Sequence, residues 1–468
     1  MKFKKLAAIM LSTALLLTFT ACSNTENNPS DTGTPTQGSS ANTDGTAGGD
    51  GTPAETDGNE PSQGSLATVA EEAPPSNVPD LNDYSYADGA ADTEYVIDNG
   101  ITDRMVALSE LNLGNTVRLA NAMKKAAAGE EITVSFIGGS ITQGSSAGDN
   151  DCYAKLVYEW FCTTFPSATV NYNRAGIGAT GSYIGVHRVE RDVLSNNPDV
   201  VFVEFSVNDT TENTRRDVDS YDSLLRKIWG SDSKPAVVCI GMTQENGTSV
   251  QNYHYDIAKS YDLPFISYRN AILDVINKGY IKWTDISDDN IHPNTVGHKV
   301  LTQIITHYLD KVNSEKDTVD GAESDFSTAY TSDKYTNAVT LTPNEITAVD
   351  ETGTFKESKD SVFSNMTGYW MVRKKGGFDG AKLVFNDVEA KNVGILYGRM
   401  TGGGTILDVY IDGVLAKSVD TRFPGGWGNY AEAAHIASFE ESAKHTIEIV
   451  PRDEEDASMI YISGLLIS

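Results

Sequence analysis

VSFIGGSITQG, residues 134–144, carries the first decision about this chain. An apolar run stops at Gly138-Gly139 and passes at once to Ser140 and a second small polar turn. A strand that ends this way can be leaving a sheet through an ordinary turn. It can also be bending its backbone to present one hydroxyl. Taken alone, Ser140 favours the plainer reading, because a serine is a poor nucleophile until a base takes its proton. Nor is Gly138-x-Ser140-x-Thr142 the G-x-S-x-G elbow of α/β-hydrolases.

Working outward, apolar runs alternate with amphipathic stretches. Strands are expected at 131–138, ATVNYNRAG (168–176), DVVFVEFSVND (199–209), PAVVCIGMT (235–243) and PFISYR (264–269). Helices are expected over 115–129 with Asn115 as N-cap and Gly129 as stop, then over 155–166, 182–197, 220–230, 252–262 and 296–313. The run VVFVEF has no polar alternation, as a strand buried on both faces requires. β-α alternation with short links predicts a parallel sheet covered by helices on both faces, with function at the carboxyl ends of its strands. Past about residue 313 the pattern changes to short alternating segments punctuated by Gly, Asn and Asp: KLVFNDV, VGILYGRM, ILDVYIDG, VLAKSVDT, HTIEIVP, MIYISGLLIS. These predict an antiparallel β-sandwich or jelly roll.

The other end of the chain differs again. Lys2, Lys4 and Lys5 precede the apolar run 6–19, and Thr20-Ala21 precede Cys22. That is an export leader, too short for a typical membrane span. Between residues 23 and 82 there is no aromatic residue. Such a segment cannot bury enough apolar area to offset its ordering entropy, so an acidic tether is expected. The net charge of −29 over 468 residues excludes nucleic acid as a partner, and four cysteines are too few for a disulfide framework. Cys152, Cys162 and Cys239 carry no reactive motif, and the seven histidines are scattered, with no ligand-spaced pair beyond His292 and His298.

Three further stretches carry candidate chemistry. Gly176-Ile177-Gly178-Ala179-Thr180-Gly181 fits the G-x-G-x-x-G dinucleotide pattern, with Glu204 as the following acid, but it stands after the second strand and not the first. Asn208-Asp209 end the apolar strand, where an amide could be held rigidly or an Asx turn could simply leave the sheet. Asp289 and His292 are three apart on a Pro-containing loop. A carboxylate there can accept from Nδ1–H and leave Nε2 free as a base. His298, one turn into the next helix, is read as loop support or a cap. Tyr369-Trp370 and FPGGWGNY (423–430) offer aromatic faces for sugar rings, or core packing.

The order of these pieces resembles the SGNH (GDSL-like) hydrolase superfamily: serine after the first strand, glycine after the second, asparagine after the third, Asp-x-x-His before the last helix. The match covers about residues 100–313. The resemblance implies a three-layer, flavodoxin-like α/β domain with Ser140 as nucleophile and Asp289 and His292 completing the triad. It implies an oxyanion hole from Ser140 N–H, Gly176 N–H and the Asn208 amide, with no metal or cofactor. The chain departs from the family at Gly139, where Asp is usual, and at Ser206, where Gly is usual. Both departures point away from the lipase-like branch, toward bacterial extracellular esterases of carbohydrates. Cys22 resembles the lipidated cysteine of a bacterial lipoprotein.

The resulting expectation has five parts: leader 1–21, disordered acidic tether 22–95, hydrolase domain 96–313, linker 314–336 and β-sandwich accessory domain 337–468. Its function is expected to be that of a serine esterase, anchored by Cys22 to the outer face of a membrane. It removes acyl groups, acetyl in the first instance, from polysaccharide. A lipase- or thioesterase-type acylhydrolase, or a non-catalytic glycan-binding surface protein, are the alternatives.

Overall fold

In the computed structural model of the chain, residues 90–210, 214–350, 352–362, 366–373, 378–426 and 428–468 are described. The leader, Cys22 and most of the tether lie outside them, as does Trp427.

The first domain is built on a six-stranded sheet. Its strands are β1 (Glu110–Asn112), β2 (Glu131–Gly138), β3 (Thr169–Gly176), β4 (Val200–Glu204), β5 (Ala236–Gly241) and β6 (Phe265–Ser267). The order is β1-β6-β5-β4-β2-β3, parallel throughout except for the β1–β6 pair. Leaving aside the short edge strand β1, the five parallel strands follow the flavodoxin-like order.

Alternation explains the continuous apolar runs. Val200 and Phe202 of β4 face one core, with Ile132, Val134 and Phe136 of β2 and Val238 and Ile240 of β5. Val201 and Val203 face the other, with Ile137, Val237 and Cys239. Helices α1 (Asp103–Ser109), α2 (Val117–Ala127), α4 (Tyr153–Thr164), α8 (Tyr268–Asn277) and α9 (Thr295–Glu315) cover the first face. Helices α5 (Ser182–Asp192), α6 (Thr214–Trp229) and α7 (Gln251–Ser260) cover the second. A one-turn helix, α3 (Ser140–Gln143), stands at the end of β2. Each fully buried Val, Ile or Phe contributes about 1.5–3 kcal/mol, which fixes the register on both faces. α1, β1 and α8 were not legible in the sequence. The expected Asn115 cap is present in function, since its Oδ1 accepts from Val117 N–H at 3.0 Å, although the helix opens at Val117.

Two boundaries change. The disordered segment was expected to reach residue 95, but Tyr95 is 1% exposed in the core. Asp92 also pairs with Arg104 at 3.8 Å. Nor is the polar segment 314–336 a free linker. It lies as a strap along the first domain: Glu323 pairs with Arg118 at 2.7 Å, and Thr331 N–H donates to Asp222 at 2.7 Å. Phe326 stacks on Tyr261 (4.1 Å) and on Trp229 (4.7 Å), whose ring also carries Arg118 at 3.5 Å.

In the second domain every pair of named strands is antiparallel. Its strands are β7 (Val339–Leu341), β8 (Lys356–Val362), β9 (Met366–Arg373), β10 (Leu383–Arg399), β11 (Ile406–Ile411), β12 (Val414–Asp420), β13 (Tyr430–Pro451) and β14 (Met459–Ile467). They are ordered β12-β11-β13-β10-β14-β9-β8, with β7 on β14. Trp370 and Val372 of β9 share one core with Leu407, Val409 and Ile411 of β11. Strands remote in the order thus face each other, and the sheet closes over itself as a β-sandwich. KLVFNDV and VGILYGRM are not two strands but one, β10. Register shifts after Phe385, Ala390 and Val393 bend its ladder with β13. Trp370 is 2% exposed against Phe385, so it serves the core and not a sugar ring. Leu396, Ala431, Ala433 and Leu466 join the core that covers α5 and α6. Gly394 admits Tyr183 there, since a Cβ on it would lie 2.3 Å from the tyrosine oxygen.

Candidate active site

Three parallel strands end side by side, with Gly138 of β2 in register between Gly176 of β3 and Glu204 of β4. Both glycines of the opening stretch are needed here, for space and not for a left-handed turn. Neither takes a positive φ. A Cβ on Gly138 would lie 2.1 Å from Thr142 Oγ1 and 2.5 Å from the Glu204 carbonyl. One on Gly139 would lie 1.9 Å from Asn208 Oδ1. The bare backbone lets α3 fold down over the strand ends, with Ser140 as its first residue.

His292 reaches Ser140 from the loop before α9. Its Nε2 lies 2.8 Å from Ser140 Oγ, and its Nδ1 lies 2.7 Å from Asp289 Oδ2. Asp289 Oδ1 accepts the backbone N–H groups of Ile291 (2.7 Å) and His292 (2.6 Å). Burial pushes the Asp289 carboxyl up, but the His292 and Ile291 donors outweigh it and hold it below the ordinary aspartate value. An ionised Asp289 accepts from Nδ1–H and leaves the Nε2 lone pair facing the serine proton. The loop itself is braced. Trp283 Nε1–H donates to the Asp289 carbonyl at 2.6 Å, and Asn294 caps α9 through Val296 and Gly297 N–H. His298 supports the opposite wall: its Nδ1 accepts Tyr153 N–H at 3.1 Å, and burial lowers it to about 4.

Asn208 stands beside the same strand ends, with its Oδ1 against Gly139. Its turn is fixed by Asp209, which accepts Ser182 N–H at 2.6 Å and lies 2.9 Å from His254 Nε2. Gly176, expected to supply a backbone donor, packs beneath α3: a Cβ on it would lie 2.2 Å from Gln143 N. Gly178 is the residue of that turn beside the serine, with Ser140 Cβ 3.8 Å from where its own Cβ would be. The sequence could have shown only that several glycines crowd this turn.

The dinucleotide pattern dissolves in the same geometry. A Cβ on Gly181 would meet Asp209, and Glu204 is fully buried, out of reach of any ribose. Glu204 was missed as part of the site. Its Oε2 is 3.5 Å from Thr142 Oγ1, which lies 2.8 Å from Tyr153 OH. Burial pushes this carboxyl up to about 8, against the opposing pull of Ser206 N–H, with nearby Asp209 adding to the rise. The folded state therefore holds a proton that the unfolded chain loses near pH 4.3. Stability from this group is fully present below that pH and drains away as pH rises toward 8, by up to about 1.4 kcal/mol per unit. In Glu204→Gln that slope is absent. The gap in Tm between pH 5 and pH 8 should therefore shrink relative to the wild type. An unchanged gap would mean that Glu204 ionises normally.

Gly139→Ala tests the crowding directly. A methyl group there displaces Asn208, so kcat should fall about 10²–10³-fold, the cost of losing one oxyanion donor. Tm should stay close to wild type, and full activity with intact folding would contradict the arrangement.

The GDSL-like lipase/acylhydrolase family model matches residues 136–300. Among solved structures, the chain is similar to a two-domain esterase active on acetylated mannans, at 32% identity and a TM-score of 0.71 over 78% of this chain and 98% of that one. A second structure of such an esterase, co-crystallised with mannopentaose, matches at 32% identity and a TM-score of 0.70, over 78% of this chain and 97% of that one. No curated protein matches the chain.

Proposed function

The chain belongs to the GDSL-like lipase/acylhydrolase family and is a carboxylic ester hydrolase, and from that premise we propose that it removes acetyl groups from an acetylated polysaccharide through Ser140, His292 and Asp289. The observation that carries this reading is the unbroken relay from Asp289 to His292 to Ser140, at 2.7 and 2.8 Å. His292 Nε2 takes the Ser140 proton as Oγ attacks the ester carbonyl. The carbonyl oxygen becomes an oxyanion held by Ser140 N–H, Gly178 N–H and Asn208 Nδ2. His292 then protonates the departing sugar oxygen, leaving acetyl-Ser140. Water, deprotonated by the same nitrogen, attacks this ester and releases acetate.

The choice of substrate rests on the likeness across both domains to esterases active on acetylated mannans. The leader and Cys22 in the sequence support attachment by lipid at the outer face of the cell, with the acidic segment as tether. Acetate release across acetylated mannan, xylan, pectin and peptidoglycan tests the assignment. Mannan is expected to rank first. Release from none of them, together with preference for long-chain aryl esters, would replace this reading with a lipase.

A further inference from the structure

Gly178 N–H, one of the three donors assigned to the oxyanion, is already occupied. It donates to Gln143 Oε1 at 2.7 Å. Gln143 ends the one-turn helix that Ser140 begins, so its amide stands beside the nucleophile. Its oxygen lies 2.8 Å from the position a Gly178 Cβ would take, and Ser140 Cβ lies 3.8 Å from the same point. A backbone N–H can face only an acceptor, so the carbonyl end of the amide is the end turned inward. Gln143 thus places a neutral carbonyl oxygen on the donor that a neutral ester carbonyl would use.

The turn is also held by other bonds. Ile177 N–H donates to the Gly138 carbonyl at 3.1 Å. The buried Thr180 hydroxyl donates to the Ile177 carbonyl at 2.7 Å, and Ser182 N–H donates to Asp209. Those three bonds hold Ala179 at its φ of 59°, a left-handed conformation that costs a non-glycine residue energy. The Gln143 main chain is also fixed, since its N–H donates to the Gly139 carbonyl at 3.0 Å. Only the half-buried side chain is free to rotate, and among the described residues no hydrogen bond holds its amide nitrogen.

We propose that Gln143 is an internal competitor: in the resting enzyme its side-chain carbonyl holds the Gly178 N–H, and substrate must displace it. The proposal rests on the serine-esterase reading above. An ester carbonyl gains little by replacing an equal neutral acceptor, whereas an oxyanion forms the stronger, charge-assisted bond. Ground state and transition state alike form only when the donor is uncovered, so the cost of displacing Gln143 raises KM and lowers kcat/KM while leaving kcat nearly unchanged.

The test compares wild type with Gln143→Ala and Gln143→Met, the latter keeping length without a carbonyl. KM for 4-nitrophenyl acetate is expected to fall about 2- to 10-fold, the worth of one neutral hydrogen bond, with kcat within twofold. Methylboronic acid supplies an independent readout. Ser140 Oγ adds to boron as its proton passes to His292, and an oxygen of the tetrahedral boronate enters the donor cradle. Its inhibition constant should tighten in both variants. A fall in kcat at unchanged KM would overturn the proposal and make Gln143 a support of the turn. Unchanged KM and unchanged boronate affinity, in variants of wild-type Tm, would also overturn it. Wild type that neither hydrolyses the acetate nor binds the boronate better than Ser140→Ala does would sink the esterase reading itself.

Discussion

Ser140→Ala should lower kcat for acetate release by about 10⁶-fold with little change in Tm, because it removes the nucleophile and leaves every other contact of the site in place. Ser140 is 8% exposed at the start of α3, where alanine fits without strain. Its backbone N–H, the Asn208 amide and Gly178 N–H remain. A residue of about 10³-fold over the uncatalysed rate is therefore expected to survive, from oxyanion binding and positioning alone. The comparison needs acetate release and a melting curve on the same preparations. Equal turnover by wild type and variant would mean that Ser140 is a turn residue and that the ester is attacked elsewhere.

Asp289→Asn should cost about 10⁴-fold in kcat, although it changes one atom and little volume. Asp289 accepts three N–H groups, from Ile291, from the His292 backbone and from the His292 ring. An amide has only one accepting atom. If that oxygen stays with the backbone donors, the NH₂ faces Nδ1 and requires it to be unprotonated. The proton then sits on Nε2, facing Ser140, and His292 can no longer act as a base at 2.8 Å. KM should change far less than kcat, since neither group binds the substrate in its ground state. A variant that loses affinity but keeps turnover would contradict the relay.

Much of this site could be located from the sequence. The strands declared themselves by apolar runs, and the helices by spacing and by stop signals. Ser140, Asn208, Asp289 and His292 each fall at a strand end or loop that those elements define, so a motif read in chain order became a constellation in space. Gly178 could not be separated from Gly176 in this way. Both are glycines of one turn, and only the approach of α3 over the strand ends shows which is pinned beneath it and which adjoins the serine. Glu204 was similarly opaque, since an acid inside an apolar strand reads the same whether it faces a cleft or a sealed interior.

The sequence by itself determined the two architectures, their order, and the strand ends and loops on which Ser140, Asn208, Asp289 and His292 stand. These depend on local periodicity and on motifs whose members need only their own neighbours to form. Tertiary structure alone decided what the bare backbone at Gly138 and Gly139 is for, which glycine of the turn adjoins Ser140, and that the segment 314–336 is a strap and not a linker. It also decided that Gln143 lies across the donor. Those outcomes depend on contacts between residues far apart in the chain, such as Asn208 against Gly139 or Phe326 between Tyr261 and Trp229. No window of sequence contains both partners, so close packing of the finished fold selects them.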